Sequence, residues 1–309
     1  MSLLRTAWMI LVVGIATLIV GPVVIAAGFL GAGRRFFDRA GRIWSSIILW
    51  SSGCPVRVEG LEHIDPQSPQ VLVGNHQSWF DVPAVAANLP KSFYFVAKKE
   101  LEHVFIFGRA WKAAGHISID RSDRESAIRS LEQAGRQLRA EGSAVVIFAE
   151  GTRSPDDRLQ PFKKGAFMLA LHTGVPIVPF GVAGSRRIFP KGSWRVRRGP
   201  IIVRFGEPIP TDGLGPEDRD ELAARVRNEV RRLRDAGRRE LGPGRLEAVV
   251  EDRAADGDAD RDAADDKPSD GSPTDDPATD DHTTDEGDPT GGGREAPGRT
   301  SDSNEGTRS

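Results

Sequence analysis

The sequence predicts an α/β fold, a mixed sheet flanked by helices, with an N-terminal membrane helix or re-entrant helix pair and a disordered acidic C-terminal tail. Three observations carry this expectation. Between residues 53 and 243, short β-branched runs alternate with longer helical stripes, the pattern of strands joined by crossover helices. From Thr6 to Gly33, 28 consecutive positions carry no charge. The formal charge of −2 is also divided: Glu251–Ser309 hold 19 acidic and 6 basic residues, a net of −13, whereas residues 1–250 carry +11.

The uncharged run comes first. A straight helix of that length measures about 42 Å, against a hydrocarbon core of about 30 Å. Pro22 and several glycines interrupt it, which allows one tilted or kinked span or a re-entrant pair. A cleaved signal peptide fits less well, because the run is long and its N-terminal flank holds only Arg5. Arg34, Arg35, Arg39 and Arg42 follow it, and by the positive-inside rule they place the body on the cytoplasmic face of the cell membrane. Arg34 to Trp50 mixes these arginines with Phe36, Phe37, Trp44 and Trp50, which suits a helix lying in the membrane interface. Residues 1–52 are therefore read as a membrane anchor.

The body, residues 53–243, offers strands at Val56–Val58, Val71–Gly74, Phe93–Val96, Ala144–Phe148, Ile177–Gly181 and Ile201–Phe205. Helices are expected over 123–140, 164–172 and 216–241. The last has Leu222, Val226, Val230 and Leu233 on one stripe, spaced to pack on a core, and seven arginines from Arg225 to Arg239. A basic body suits an anionic partner, and beside an apolar leader that partner is the phospholipid bilayer, not nucleic acid. Residues 244–309 hold too few apolar side chains to offset the entropy of ordering and are expected to be disordered. The single cysteine, Cys54, excludes a disulfide framework within the chain.

Two strand ends carry the chemistry. Val71-Leu72-Val73-Gly74 runs into Asn75-His76-Gln77-Ser78-Trp79-Phe80-Asp81. Residues five apart point to different sides of a helix, since one turn takes about 3.6 residues. His76 and Asp81 therefore meet only across a sharp turn. There the carboxylate would hold one ring nitrogen and leave the other as a base, two-thirds of a hydrolase triad whose nucleophile the substrate brings as a hydroxyl. Taken alone, a turn histidine followed by a helix N-cap aspartate fits the pair equally well. A second apolar run, Val145–Phe148, ends in Ala149-Glu150-Gly151-Thr152-Arg153-Ser154. No His-Glu-x-x-His, Gly-x-Ser-x-Gly, Walker A or Gly-x-Gly-x-x-Gly motif occurs, so zinc-protease, serine-hydrolase and nucleotide-cofactor readings lose support.

Four blocks in order, Asn-His-Gln-Ser-x-x-Asp at 75–81, Gly-x-Ile-x-Ile-Asp-Arg at 115–121, Glu-Gly-Thr-Arg-Ser at 150–154 and Val-Pro-Ile-Val-Pro at 175–179, resemble those of the glycerolipid acyltransferase family. Within it they are similar to the bacterial 1-acyl-sn-glycerol-3-phosphate acyltransferases. The resemblance spans residues 50–210 and implies that 53–243 is an acyltransferase domain. It implies His76 as general base and Asp81 as its orienting partner. It further implies Asn75, Arg121, Glu150, Gly151, Thr152 and Arg153 as substrate-binding residues, with the two arginines on the acceptor phosphate. Lysophosphatidic acid is the implied acceptor, and acyl-CoA or acyl carrier protein the donor. No cofactor or metal is expected. Lys163 and Lys164 fit either a phosphate or solvent, and Pro176 and Pro179 suggest an edge or bulged strand. Ala149 departs from the family's usual proline, which leaves the acceptor more open. Two other readings stand beside this one: acylation of a different lysolipid, such as a lysophospholipid or lyso-ornithine lipid, and a non-catalytic membrane adaptor. The intact His-x4-Asp pair weighs against the adaptor.

Overall fold

The computed structural model describes residues 2–120 and 123–243. Arg121 and the tail at 244–309 lie outside the described residues. Two helices lead, α1 (Ser2–Phe29) and α2 (Arg34–Ser52). They form an antiparallel hairpin: Trp44 Nε1 donates to Thr17 Oγ1 at 3.0 Å, and Trp50 packs edge-on against Trp8. Seven strands follow, β1 (Val56–Glu59), β2 (Gln70–Gly74), β3 (Phe93–Lys98), β4 (Ile117–Ile119), β5 (Ala144–Phe148), β6 (Ile177–Ala183) and β7 (Ile201–Phe205). Between them lie α3 (Asp81–Ala86), α4 (Phe107–Ala113), α5 (Arg124–Glu141), α6 (Gly165–Thr173) and α7 (Ser185–Ile188), and α8 (Arg219–Leu241) closes the domain.

The strand order is β1-β7-β6-β2-β5-β3-β4, and only β6 and β7 pair antiparallel. The sheet is mixed, as expected. Period-two alternation divides its side chains between two cores. Leu72, Val146, Val178, Phe180 and Val182 face α2, α3 and α4 together with Leu49, Val85 and Trp111. Val71, Val73, Val145 and Ile177 face α5, α6 and α8 through Leu138, Phe167, Leu222, Val226 and Val230. Six expected strands and three expected helices are present. Missed were β4, three residues long, and the short α3, α4 and α7.

One alternative is corrected. Pro176 and Pro179 suggested an edge or bulged strand; β6 is no edge, lying between β2 and β7, but its antiparallel register shifts by one residue around Pro179, from Ile177↔Ile209 to Phe180↔Phe205, as in a bulge. The missing N–H of Pro179 falls where β7 has ended: pairing with β7 begins at Phe180↔Phe205, and the Pro179 carbonyl accepts from Gly206 N–H at 2.8 Å. The proline thus costs no ladder bond. Arg34 and Arg42, half of the arginine cluster, also bind the domain. Arg34 donates to the carbonyls of Ala114 and Phe93, and Arg42 to those of Leu89 (3.0 Å) and Lys91 (2.7 Å).

Among the described residues one helix, Leu3–Phe29, is long and apolar enough to cross a membrane. It runs unbroken through Pro22 and lies along the domain. Near its start Thr6 Oγ1 accepts from Val196 N–H at 2.9 Å, and near its end Gly28 meets Ala113 of α4. A Cβ at Gly21 would fall 2.3 Å from Ile106, so α1 approaches the domain as closely as glycine allows. Its other face, with Leu4, Ile10, Leu11, Leu18 and Ile19, is exposed.

Candidate active site

The parallel pairing of β2 with β5 brings the two reactive loops together. Gly74 is in register with Phe148, so both chains leave the carboxyl end of the sheet side by side. Two residues beyond each partner stand His76 and Glu150. The loop after β2 then turns sharply, because Asp81 N–H donates to Ser78 O (3.1 Å) and starts α3. This turn closes the five-residue gap: His76 Nδ1 lies 2.8 Å from Asp81 Oδ2.

Asp81 is wholly buried, and its Oδ2 also accepts from the amides of Gln77 (2.6 Å) and Ser78 (2.8 Å). Three donors on one oxygen hold it as a carboxylate acceptor and place the imidazole proton on Nδ1. Nε2 is left as the basic nitrogen. The imidazole stacks on Phe148, ring centroids 4.4 Å apart and planes 21° from parallel. Ser78 and Ser154 are buried, and their hydroxyls donate to the carbonyls of Phe189 and Asp156. Neither hydroxyl is presented as a nucleophile.

Glu150 is buried beside this pair. Its Oε1 accepts from His76 N–H at 2.6 Å and its Oε2 from Gln160 N–H at 2.9 Å. Burial, with a smaller push from the Asp81 charge, raises its pKa to about 7, against the pull of the two amides and of Arg234. Gly151 sits at φ 75°, where a side chain would be strained, and turns the chain toward Thr152 and Arg153. Both are half-buried, and the Arg153 guanidinium lies 4.9 Å from the centroid of the exposed Trp79 ring.

Asn75 is placed unlike a substrate contact. Its amide donates to Val182 O (3.0 Å) and accepts from Val182 N–H (2.7 Å), with no exposed surface. The side chain extends the β2–β6 ladder past Gly74 and braces the His76 loop. Lys163 and Lys164 are exposed.

An apolar cavity of about 100 Å³ opens under the helix hairpin, lined by Val20, Trp44, Val82, Phe95, Phe107 and Trp111 among others. Phe95, which lines the cavity, stacks on Phe148, which stacks on His76, so two aromatic rings separate the cavity from the base. His116 faces the cavity beside Trp111. Burial, then the Arg34 charge, lowers its pKa to about 3, so its ring is neutral there. Among the described residues no group of three or more His, Cys, Asp or Glu could hold a metal ion.

Sequence reasoning passed over Phe148, Gln160 and Arg234. For Phe148 a signal was present, since alternation along β5 sets it on the face of Val146. For Arg234 the signal was its place four residues after Val230 on the buried stripe of α8, where it is 5% exposed.

The Acyltransferase family model matches residues 55–183. A 1-acyl-sn-glycerol-3-phosphate acyltransferase of Limnanthes douglasii is 35% identical over 208 residues, 67% of this chain and 73% of that protein. The alpha form from Homo sapiens is 38% identical over 178 residues, 58% of this chain and 63% of its own. Among solved structures, the 1-acyl-sn-glycerophosphate (LPA) acyltransferase of Thermotoga maritima matches with a TM-score of 0.65 and 27% identity, over 75% of this chain and 93% of that one. A sheet that seats a His–Asp pair at its carboxyl end and relatives of this extent agree on one assignment: the chain belongs to the acyltransferase family and is an enzyme of that class.

Proposed function

We propose that this enzyme moves a fatty acyl group from a thioester donor, acyl-CoA or acyl carrier protein, to the sn-2 hydroxyl of 1-acyl-sn-glycerol 3-phosphate, giving phosphatidic acid. The observation that carries the proposal is the His76–Asp81 contact of 2.8 Å on a wholly buried carboxylate, beside serines already engaged with backbone. Nε2 of His76 takes the proton of the acceptor hydroxyl as its oxygen attacks the thioester carbonyl. When the tetrahedral intermediate collapses, the C–S bond breaks and the imidazolium returns that proton to the leaving thiolate. Asp81 holds the tautomer and offsets the transient positive charge. The names of the relatives support the acceptor, and the apolar cavity behind Phe148 offers room for part of an acyl chain.

The phosphate falls to Arg153, and to Arg121 by the resemblance alone. A charge-assisted contact is worth about 1.5–3 kcal/mol, so Arg153→Ala is expected to raise the acceptor KM about 10- to 100-fold and leave the donor KM near its wild-type value. Lysine lacks the forked geometry, so Arg153→Lys recovers only part of this. Steady-state kinetics with phosphate-bearing and neutral glycerol acceptors check it. Equal losses on both would make Arg153 structural and favour another lysolipid as acceptor.

We place residues 1–52 at a membrane surface, with 53–243 as the catalytic domain on its cytoplasmic side. Support comes from the exposed apolar face of α1, together with the lengthwise packing that keeps α1 on the domain. That packing favours a hairpin lying on or in one leaflet over a span that stands away from the body. Residues 244–309 carry none of the four blocks. Truncation after Leu246 is therefore expected to leave specific activity within about a few-fold. A collapse of activity in a folded truncation would assign the tail a regulatory or recruiting role.

A further inference from the structure

We infer that Glu150 is a positioning residue that fixes the backbone of His76, not a ligand of the acceptor. This rests on the reading of His76 as the base. Both carboxylate oxygens are committed to main-chain donors, Oε1 to His76 N–H at 2.6 Å and Oε2 to Gln160 N–H at 2.9 Å. The residue is 2% exposed. Burial at 2% exposure leaves a glycerol hydroxyl almost no access to the remaining lone pairs, and a phosphate would meet like charge.

The same turn holds the other side of His76, whose carbonyl accepts from Ser154 N–H at 2.8 Å. Glu150 and Ser154 thus grip the two peptide groups of one residue, and Asp81 grips its ring. Further bonds tie the grip to the sheet: Ala149 N–H donates to Gly74 O (3.1 Å) and Lys163 N–H to Ala149 O (2.7 Å). The third block is in this reading a clamp on the first. The charged groups around Glu150 are Asp81 at the start of α3 and Arg227 and Arg234 on α8. Arg227 in turn donates to the carbonyls of Leu159 and Gln160, the segment that supplies the second amide. Glu150 titrates near pH 7, so its charge contributes to how activity depends on pH there.

The test is the pH dependence of kcat and KM for full-length Glu150→Gln and Glu150→Asp, with lysophosphatidic acid and acyl-CoA, on protein whose folding is verified by thermal melting. In Glu150→Gln one tether becomes an NH2 group facing an N–H, and kcat is expected to fall about 100-fold, the cost of misplacing a reacting group by roughly 1 Å. Both KM values should stay within about two-fold, since binding is untouched. The acid limb of kcat should move to lower pH and lose steepness, because a negative charge beside the imidazolium and one titrating group are gone. Glu150→Asp keeps the charge but is too short to span both amides. It should lose kcat with both KM values unchanged while keeping the steep limb, so if the glutamine variant does not fold, its kcat-against-KM split still separates a positioning residue from an acceptor ligand. A rise in acceptor KM with kcat and acid limb unchanged would make Glu150 a ligand and overturn the inference. A loss of kcat with an unmoved acid limb in Glu150→Gln would make it structural and overturn it equally. Failure of the base assignment reads out elsewhere, as retained turnover in His76→Ala.

Discussion

His76→Ala is expected to lower acyl transfer to lysophosphatidic acid by about 100- to 10,000-fold, the range a positioned general base contributes. The fold should survive, because the structural bonds of this residue are made by its main chain. Its N–H to Glu150 and its carbonyl from Ser154 need no imidazole. What goes is the base and one ring of the Phe148 stack. The check is initial-rate kinetics on purified protein, paired with a melting curve. Turnover near the wild-type rate would remove His76 from the chemistry, and the mechanism with it.

Asp81→Asn is expected to cost as much, about 10,000-fold in kcat, the size of the aspartate-to-asparagine loss in a hydrolase triad. Asn can seat its oxygen where Oδ2 accepts from His76, Gln77 and Ser78, which leaves its NH2 at the Oδ1 position. Oδ1 has no hydrogen-bond partner, so the amide displaces no existing bond. The turn and the tautomer persist, and the missing quantity is charge opposite the imidazolium. A variant with unchanged melting temperature and near wild-type kcat would mean that Asp81 only shapes the turn. One that fails to accumulate folded protein would mean that the buried carboxylate is needed for folding as well.

How much of the fold and the site is legible in the amino-acid sequence depends on the range of each interaction. The His76–Asp81 contact is local: an apolar strand, a short polar gap and a helix start stand within twelve residues, and the turn they imply is the one found. The six β-branched strands are readable for the same reason. β4 is not, because Ile117 and Ile119 supply only two apolar positions in a three-residue strand. The short helices α3 and α4 likewise complete too few turns to show a periodic stripe. The role of Glu150 cannot be read locally, because it is set by the pairing of β2 with β5, a contact between distant parts of the chain. Asn75 illustrates the same limit: the resemblance implies a substrate contact, and only the position of β6 reveals the two backbone groups that occupy it.

The register of Gly74 with Phe148 also works as a length gauge. His76 and Glu150 are 74 positions apart in the chain, yet each stands two residues beyond its strand's paired end. The intervening stretch can grow or shrink through surface loops at little cost, since loop-closure entropy rises only slowly with length. The two-residue overhang cannot. One added residue in either strand would slide its loop by about 3.3 Å and turn its side chains to the opposite face. Drift in this chain should therefore concentrate between the strands and spare the overhangs. A diverged homologue is then better identified by the distance from each strand end to its reactive residue than by the distance between motifs.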